Sequence, residues 1–371
     1  MSDFLTWVEI DLARIEDNLE AIRKKVGKRK ILVPVKANAY GHGLVQVAKY
    51  LVSLGIDYLG VARWEEGAEL RENGVKIPIL LLSGFLPPDT PRIIEYNLIP
   101  SLTTKEQIEW LRREGKKKGV SIRIHVNVDT GMGRQGISRE ELFQILPEIL
   151  SPPFSLEGIY THFPSADVDE EFSRYQIKIF RGIRRELELK GVIVNIWHMA
   201  NSAGILNFPE SYMDMVRPGI LTYGYYPLPG IKKTVPVKPA LTWKARVIHI
   251  REKTGGEGIS YGRTYFTSSP CKIVTLGVGY GDGYPRALSN QGKVSWRGRV
   301  YPVVGRVCMD QIMVQMEREA EIRVGEEVTI MGGDISLEEI SSQLGTIPYE
   351  ILTRIGIRVR RVYHEEGKGL C

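Results

Sequence analysis

Eight short apolar runs recur between about residues 31 and 220, and this alternation constrains the fold more than any other feature. The runs are 31–35, 57–62, 77–82, 98–102, 121–129, 156–162, 195–200 and 213–217. Helical patterns separate most of them. Leu44, Val47, Ala48 and Leu51 follow i, i+3, i+4, i+7 spacing, and Ile108 and Leu111 follow it in weaker phase. Eight such repeats in about 200 residues predict a (β/α)8 TIM-type barrel rather than an open doubly wound sheet. Pro34 is a misfit inside the first run, since proline cannot donate to a ladder. An opening helix precedes the barrel, with Ile15, Leu19, Ile22 and Val26 on one face and Asp11 as its cap.

At 371 residues the chain exceeds what one growing core accommodates, so two domains are expected. The texture changes near residue 235. Pro227, Pro229, Gly230, Pro236 and Pro239 mark a linker. Short strand-like runs follow at Thr242 to Ile250, Lys272 to Val278, Lys293 to Val304 and Glu326 to Met331. They read as a mostly antiparallel β-domain, with Ser336 and Glu339 as a capping box opening one short helix. The expected division is a barrel over 1–235 and a β-domain over 236–371.

Composition excludes several classes. The longest apolar stretches, such as Ile77 to Leu82, are too short to cross a bilayer, so no membrane role is expected. The start Met1-Ser2-Asp3-Phe4 shows no basic n-region followed by an apolar h-region, so no secretion signal is expected. Cys271, Cys308 and Cys371 are widely spaced, which suits reduced thiols and a cytoplasmic location. A net charge of +6 is mild for this length. The basic runs Lys24 to Lys30 and Lys116 to Lys118 end helical patterns without interleaved aromatics, so no nucleic-acid partner is expected. The histidines show no H-E-x-x-H and no cysteine pairing, so no metal is expected. His42, His125, His198, His249 and His364 read as structural or solvent-facing.

Active sites of such barrels lie at the carboxyl ends of the strands. Reading those ends gives Lys36, Arg63, Ser83, Thr103, Asp129, His162, Asn201 with Ser202, and Arg217. The set holds one amine and several groups fit to bind an anion. A surface lysine at a strand end is the plain alternative for Lys36. Its context, Val33-Pro34-Val35-Lys36-Ala37-Asn38-Ala39-Tyr40-Gly41-His42-Gly43, instead suggests a nucleophile or Schiff-base former on a rigid element. Loops after the last two strands, Asn201-Ser202-Ala203-Gly204 and Arg217-Pro218-Gly219-Ile220, suit a phosphate.

The run around Lys36 resembles the pyridoxal-phosphate lysine motif of alanine racemases, and the resemblance extends to Tyr363. It implies pyridoxal 5'-phosphate as cofactor. The residues matching Tyr40, Ser202, Gly219, Ile220 and Tyr349 contact the phosphate in that family. The full cofactor set expected is Lys36, Tyr40, His162, Asn201, Ser202, Arg217, Gly219, Ile220 and Tyr349. Arg217 matches the arginine facing the pyridine nitrogen. Arginine keeps its protons, so that nitrogen stays largely neutral and the electron sink is weak.

Racemisation needs a base on each face of the α-carbon. The resemblance implies Lys36 on one face and Tyr261, from the other subunit of a homodimer, on the second. A free tyrosine has pKa about 10, and His162 and Arg217 are implied as cationic neighbours that lower it. A packing role for Tyr261, in its glycine-flanked run, is the alternative from the residues alone.

Three further segments match. Asp129 to Arg134 resembles the run whose arginine orients the substrate carboxylate. Gly279 to Arg286 places Tyr280 near the mouth of the site. Cys308-Met309-Asp310 matches the segment whose methionine N–H meets that carboxylate. Arg134, Met309 and Tyr280 are thus the expected substrate contacts. The 277–283 run has G-x-G spacing but opens no helix, which excludes a dinucleotide fingerprint. Many family members carry a carbamylated lysine where this chain has Asn127, and asparagine cannot form a carbamate. An anion such as chloride near Asn127 and Arg134 is the expected replacement.

The expected activity is interconversion of L- and D-alanine, supplying D-alanine for cell-wall precursors. A serine or broader amino-acid racemase is the nearest alternative, though Tyr261 and Tyr349 favour a small side chain. A non-catalytic pyridoxal-phosphate carrier would lack the β-domain. A decarboxylase on the same plan would use a cysteine such as Cys308.

Overall fold

The computed structural model describes residues 4–365. Cys371 lies outside them. Strand β1 (Thr6–Asp11) leads into a helix, Leu12–Val26, capped by Asp11, whose side chain accepts from Arg14 N. Eight strands then close a parallel barrel: β2 (Lys30–Pro34), β3 (Tyr58–Val61), β4 (Ile79–Leu81), β5 (Ile99–Leu102), β6 (Ile122–Asn127), β7 (Phe154–Tyr160), β8 (Ile196–His198) and β9 (Met215–Val216). Each falls on or within about two residues of an expected run, so the expected barrel is the observed one. Alternation sorts the side chains. Ile31, Val33, Ile79 and Leu81 pack outward with the helices, while Leu32, Leu80, Ile99, Ile196 and Met215 form a separate inner cluster with Tyr58. Pro34 ends its strand, and Val35 N resumes the ladder by donating to Gly60 O at 2.8 Å.

Among the described residues the second sheet has eight strands, three of them outside the expected runs. The long strand Leu241–Lys253 is its spine. It pairs antiparallel with β1, Glu327–Met331 and Cys271–Leu276, shifting register between Val247 and His249. Ile312–Glu317 joins the outer edge of Cys271–Leu276, and Arg360–His364 runs parallel to β1. Strand β1 therefore belongs to the second sheet rather than to the barrel, which corrects the assignment of all of 1–235 to the barrel. Trp243 Nε1 donates to Thr6 Oγ1 at 2.8 Å across that seam. The run Lys293 to Val304 is a hairpin rather than one strand. Arg297 (φ 49) and Gly298 (φ 74) both turn left-handed between Lys293–Trp296 and Arg299–Pro302, as a two-residue hairpin turn requires. Ser336 caps the helix Leu337–Gln343 by accepting from Glu339 N at 3.3 Å. Among the described residues no helix is long and apolar enough to cross a membrane.

Candidate active site

Lys36 stands just past β2 and opens a turn of unusual hand. Ala37 (φ 53), Asn38 (φ 55), Ala39 (φ 51) and Tyr40 (φ 53) all lie in the left-handed region, and none is glycine. Each such residue costs on the order of 1 kcal/mol, so the surroundings must over-determine the turn. Ala39 N donates to Val35 O at 2.7 Å and Gly41 N to Ala37 O at 3.1 Å. Asn38 Oδ1 accepts from Leu44 N at 2.7 Å, capping the next helix, and Glu66 Oε1 accepts from Ala37 N at 2.7 Å.

The two glycines of the motif serve a contact between domains. A Cβ on Gly41 would lie 2.2 Å from Leu352 O, and one on Gly43 1.8 Å from Tyr363 Oη. Tyr363 also donates to His42 O at 3.1 Å. The helix Pro348–Arg354 and the final strand therefore press directly on the lysine turn.

A cavity of ≈ 710 Å³ opens at the strand ends and gathers most of the expected residues. Lys36, Tyr40, Ser83, Arg134, His162, Asn201, Ser202, Arg217, Gly219 and Tyr349 all line it. Arg63 and Thr103 do not; they border a separate depression with Trp64 and Phe85. Asp129 is also absent from the wall. Its carboxylate accepts from Gly131, Met132 and Gly133 N at 2.8–2.9 Å, folding the loop that presents Arg134. Asn127 is buried at the end of β6, and its side chain does not line the cavity.

At one end of the cavity a phosphate-sized cradle forms. Asn201 caps the short helix Ser202–Asn207, and Gly219 opens another, Gly219–Thr222. A Cβ on Gly219 would lie 3.0 Å from Tyr40 Oη and 3.8 Å from Ser202 Oγ. Two hydroxyls and bare backbone at paired helix starts thus converge on one spot, a donor set that suits a phosphate monoester. Ile220 is fully buried, so what it can offer there is its backbone N–H. The Tyr40 ring stacks on Tyr223 at 5.0 Å and meets Tyr349 at 5.8 Å. Burial pushes the Tyr40 and Tyr349 hydroxyls up, so both stay protonated donors.

The Lys36 amine is pushed below its ordinary range, first by burial, then by Arg134 and Arg217, while Glu66 pulls the other way. A lowered amine is a better nucleophile and base near neutral pH.

Arg217 is buried and fully engaged. Its guanidinium lies 2.7 Å from His198 Nδ1 and 3.3 Å from His162 Nδ1, and donates to Thr161 O at 2.7 Å and Met199 O at 3.1 Å. It also sits 5.2 Å over the Tyr160 ring. Because arginine only donates, both histidines accept at Nδ1 and carry their proton on Nε2. His198 Nε2 then donates to His125 Nδ1 at 2.9 Å, and His125 Nε2 faces Glu157 Oε2 at 3.4 Å. Gly158 leaves room for that ring, since a Cβ there would sit 2.5 Å from it.

Burial, then Arg217, Arg134 and Lys36, hold His162 well below the usual imidazole range. His162 is therefore neutral, which corrects its expected part as a cation. His125 and His198 are structural as expected, yet they back Arg217 rather than face solvent. Their inward positions on β6 and β8 were legible from strand alternation, as was that of Tyr160.

Three expected residues stand apart. Tyr261 is 71% exposed, Met309 54% and Tyr280 41%, and none lines the Lys36 cavity of its own chain. Tyr261 follows Ser260, whose left-handed backbone (φ 63) is tied down by its hydroxyl donating to Arg306 O at 2.7 Å. Gly279, just before Tyr280, packs with no space for a side chain, since a Cβ there would lie 2.3 Å from Met309 O. The Tyr280 and Met309 loops thus hold each other. Glu66 escaped sequence reasoning altogether, because an acidic residue in a first helical turn reads as an ordinary cap.

The alanine racemase N-terminal domain model matches residues 10–227, and the alanine racemase C-terminal domain model matches residues 240–363. An alanine racemase of Desulforamulus reducens is 43% identical over 363 residues, covering 96% of this chain and 98% of that protein. The solved alanine racemase of Clostridium difficile 630 is 37% identical, with a TM-score of 0.96 over 100% of this chain and 99% of its own. That of Bartonella henselae, solved with covalently bound pyridoxal phosphate, is 30% identical, with a TM-score of 0.88 over 97% of this chain and 100% of its own. Barrel, second sheet, lysine turn and full-length likeness agree: the chain belongs to the alanine racemase family and is a racemase.

Proposed function

We propose that the chain binds pyridoxal 5'-phosphate on Lys36 and racemises alanine by two-base proton transfer, in a homodimer whose subunits share each site. The observation that carries this is one cavity holding a lowered amine, a phosphate cradle and a buried arginine. When bound, the cofactor draws electrons from the substrate α-carbon and so makes its proton removable. Tyr40, Ser202 and the N–H groups at Gly219 and Ile220 grip the phosphate, with Tyr349 closing over it. Asn201 supports the cradle by capping the helix that Ser202 opens. Arg217, oriented by His162 and His198, would be the partner of the cofactor's ring nitrogen and, having no proton to give, would leave it neutral.

The Lys36 amine takes or returns the α-proton on one face. Tyr261 of the partner subunit serves the other. The exposure of Tyr261, Tyr280 and Met309 supports a face that a second copy covers. Arg134 and the N–H of Met309 of the partner subunit hold the substrate carboxylate, and Tyr280 of the partner subunit guards the mouth. An anion such as chloride compensates Arg134 beside Asn127. The barrel holds most of the cofactor contacts, Tyr349 of the β-domain joins them in the same subunit, and the rest of the β-domain completes the partner's site. The work is cytoplasmic and supplies D-alanine for cell-wall precursors.

Serine is the second substrate reading, held back by the bulk of Tyr349 and of Tyr261 of the partner subunit. The carrier alternative ends with the enzyme assignment, and the decarboxylase alternative with the family. Borohydride trapping followed by peptide mapping tests the core of the proposal. A tag on Lys36 supports it; a tag on another lysine, or none, removes it.

A further inference from the structure

We propose that Glu66 is the positioning residue for Lys36, holding the left-handed turn that aims the amine and setting a carboxylate on the peptide N–H that follows it. The inference rests on the cofactor reading above but draws on different atoms. Glu66 lies in the first turn of the helix Trp64–Glu72, just after β3. Its Oε2 accepts from Ala62 N at 2.8 Å and Arg63 N at 3.2 Å, as an ordinary cap would. Its Oε1 does something a cap does not: it reaches back to the loop after β2 and accepts from Ala37 N at 2.7 Å.

That N–H belongs to the first of four consecutive left-handed residues, directly after Lys36. The other ties of the turn, Ala39 N to Val35 O and Asn38 Oδ1 to Leu44 N, fix its far side. Glu66 fixes its near side, where the lysine departs. Charge adds to reach. Arg134 and Arg217 oppose a proton on the Lys36 amine, and Glu66 favours one. The amine thus sits in a balance of two cations and one anion. A substrate carboxylate drawn to Arg134 tips that balance, which suits an amine that must both hold and release a proton.

Two variants separate reach from charge. Glu66→Gln keeps the shape, loses the charge and turns an N–H donor toward backbone N–H groups. Glu66→Asp keeps the charge but is one methylene too short to serve Ala37 and Ala62 together. The readout is competitive acetylation of the full chain freed of cofactor, from about pH 6 to 11, quantified at Lys36 by mass spectrometry. In Glu66→Gln the labelling midpoint falls below that of the unaltered protein, and affinity for pyridoxal phosphate drops roughly tenfold, the worth of one charge-assisted bond. In Glu66→Asp the midpoint stays while the affinity falls.

An unmoved midpoint in Glu66→Gln overturns the proposal, and so does a midpoint rising toward that of surface lysines. A lowered melting temperature with neither midpoint nor affinity changed leaves Glu66 a plain helix cap and also overturns it. Failure of added pyridoxal phosphate to protect Lys36 in the unaltered protein defeats the cofactor reading instead, while the labelling midpoints still judge Glu66.

Discussion

Replacing Gly219 by alanine isolates the phosphate cradle from the rest of the site. The added methyl would sit 3.0 Å from Tyr40 Oη and 3.8 Å from Ser202 Oγ. It therefore fills the point where the hydroxyls and backbone N–H groups converge. The fold should tolerate it. Gly219 begins a short helix, its backbone is not left-handed, and the only close neighbour is the far end of a tyrosine. The stability change should stay within about 1 kcal/mol.

Binding is different. The phosphate must move out by about a methyl radius, forfeiting at least one charge-assisted hydrogen bond worth about 1.5–3 kcal/mol. Affinity for pyridoxal phosphate should fall roughly 10- to 100-fold. Absorbance titration of the cofactor-free protein measures this. Pyridoxal, which carries no phosphate, supplies the control. Its affinity should stay within about threefold, because the Lys36 turn and Arg217 are untouched. An equal loss for both ligands, or no loss for either, refutes the placement of the phosphate.

Other perturbations probe the remaining parts. Removing Arg217 as Arg217→Ala strands Thr161 O, Met199 O and two imidazoles in a buried setting, and chemical denaturation should show a loss of about 3–5 kcal/mol. Tyr261→Phe should leave the melting temperature unchanged, because the side chain is exposed, yet slow α-proton exchange on one face by about a hundredfold or more. Deuterium uptake from D- and L-alanine reads that asymmetry, and equal slowing of both would argue against a one-face role.

Acid should destabilise the protein in a defined window. His42 is held down to about 4 by burial, and His125, His162 and His198 are likewise lowered. Below the ordinary imidazole value near 6.5 the unfolded chain binds protons that the folded one refuses, so stability falls as pH drops from there. His42 alone accounts for about 3 kcal/mol between pH 6.5 and 4. Equal stability at pH 7 and pH 5 by urea denaturation would contradict this.

The barrel was legible because its signal is local. Each strand is a buried run bounded by helical periodicity, and the residue at each strand end follows from counting. That reasoning reached Lys36, Ser83, His162, Asn201, Ser202 and Arg217. It failed at Arg63 and Thr103, which occupy the same topological position but border another depression. Where a loop leaves the rim depends on neighbouring loops, not on the strand. The β-domain was less legible. The turn Arg297-Gly298 hid inside an apolar run, and β1 finds its partners more than 200 residues away.

What the sequence determined by itself was periodicity: eight strands, a linker, a second sheet, and an amine placed at a rim. Tertiary structure decided everything that depends on residues meeting from distant elements. Gly41 and Gly43 are explained only by Leu352 and Tyr363 pressing on them, and the neutral state of His162 only by burial beside Arg217. The left-handed hand of the Lys36 turn, carried on alanines, an asparagine and a tyrosine, has no local cause. Propensity argues against it, and it persists because contacts remote in sequence outweigh a local strain of a few kcal/mol.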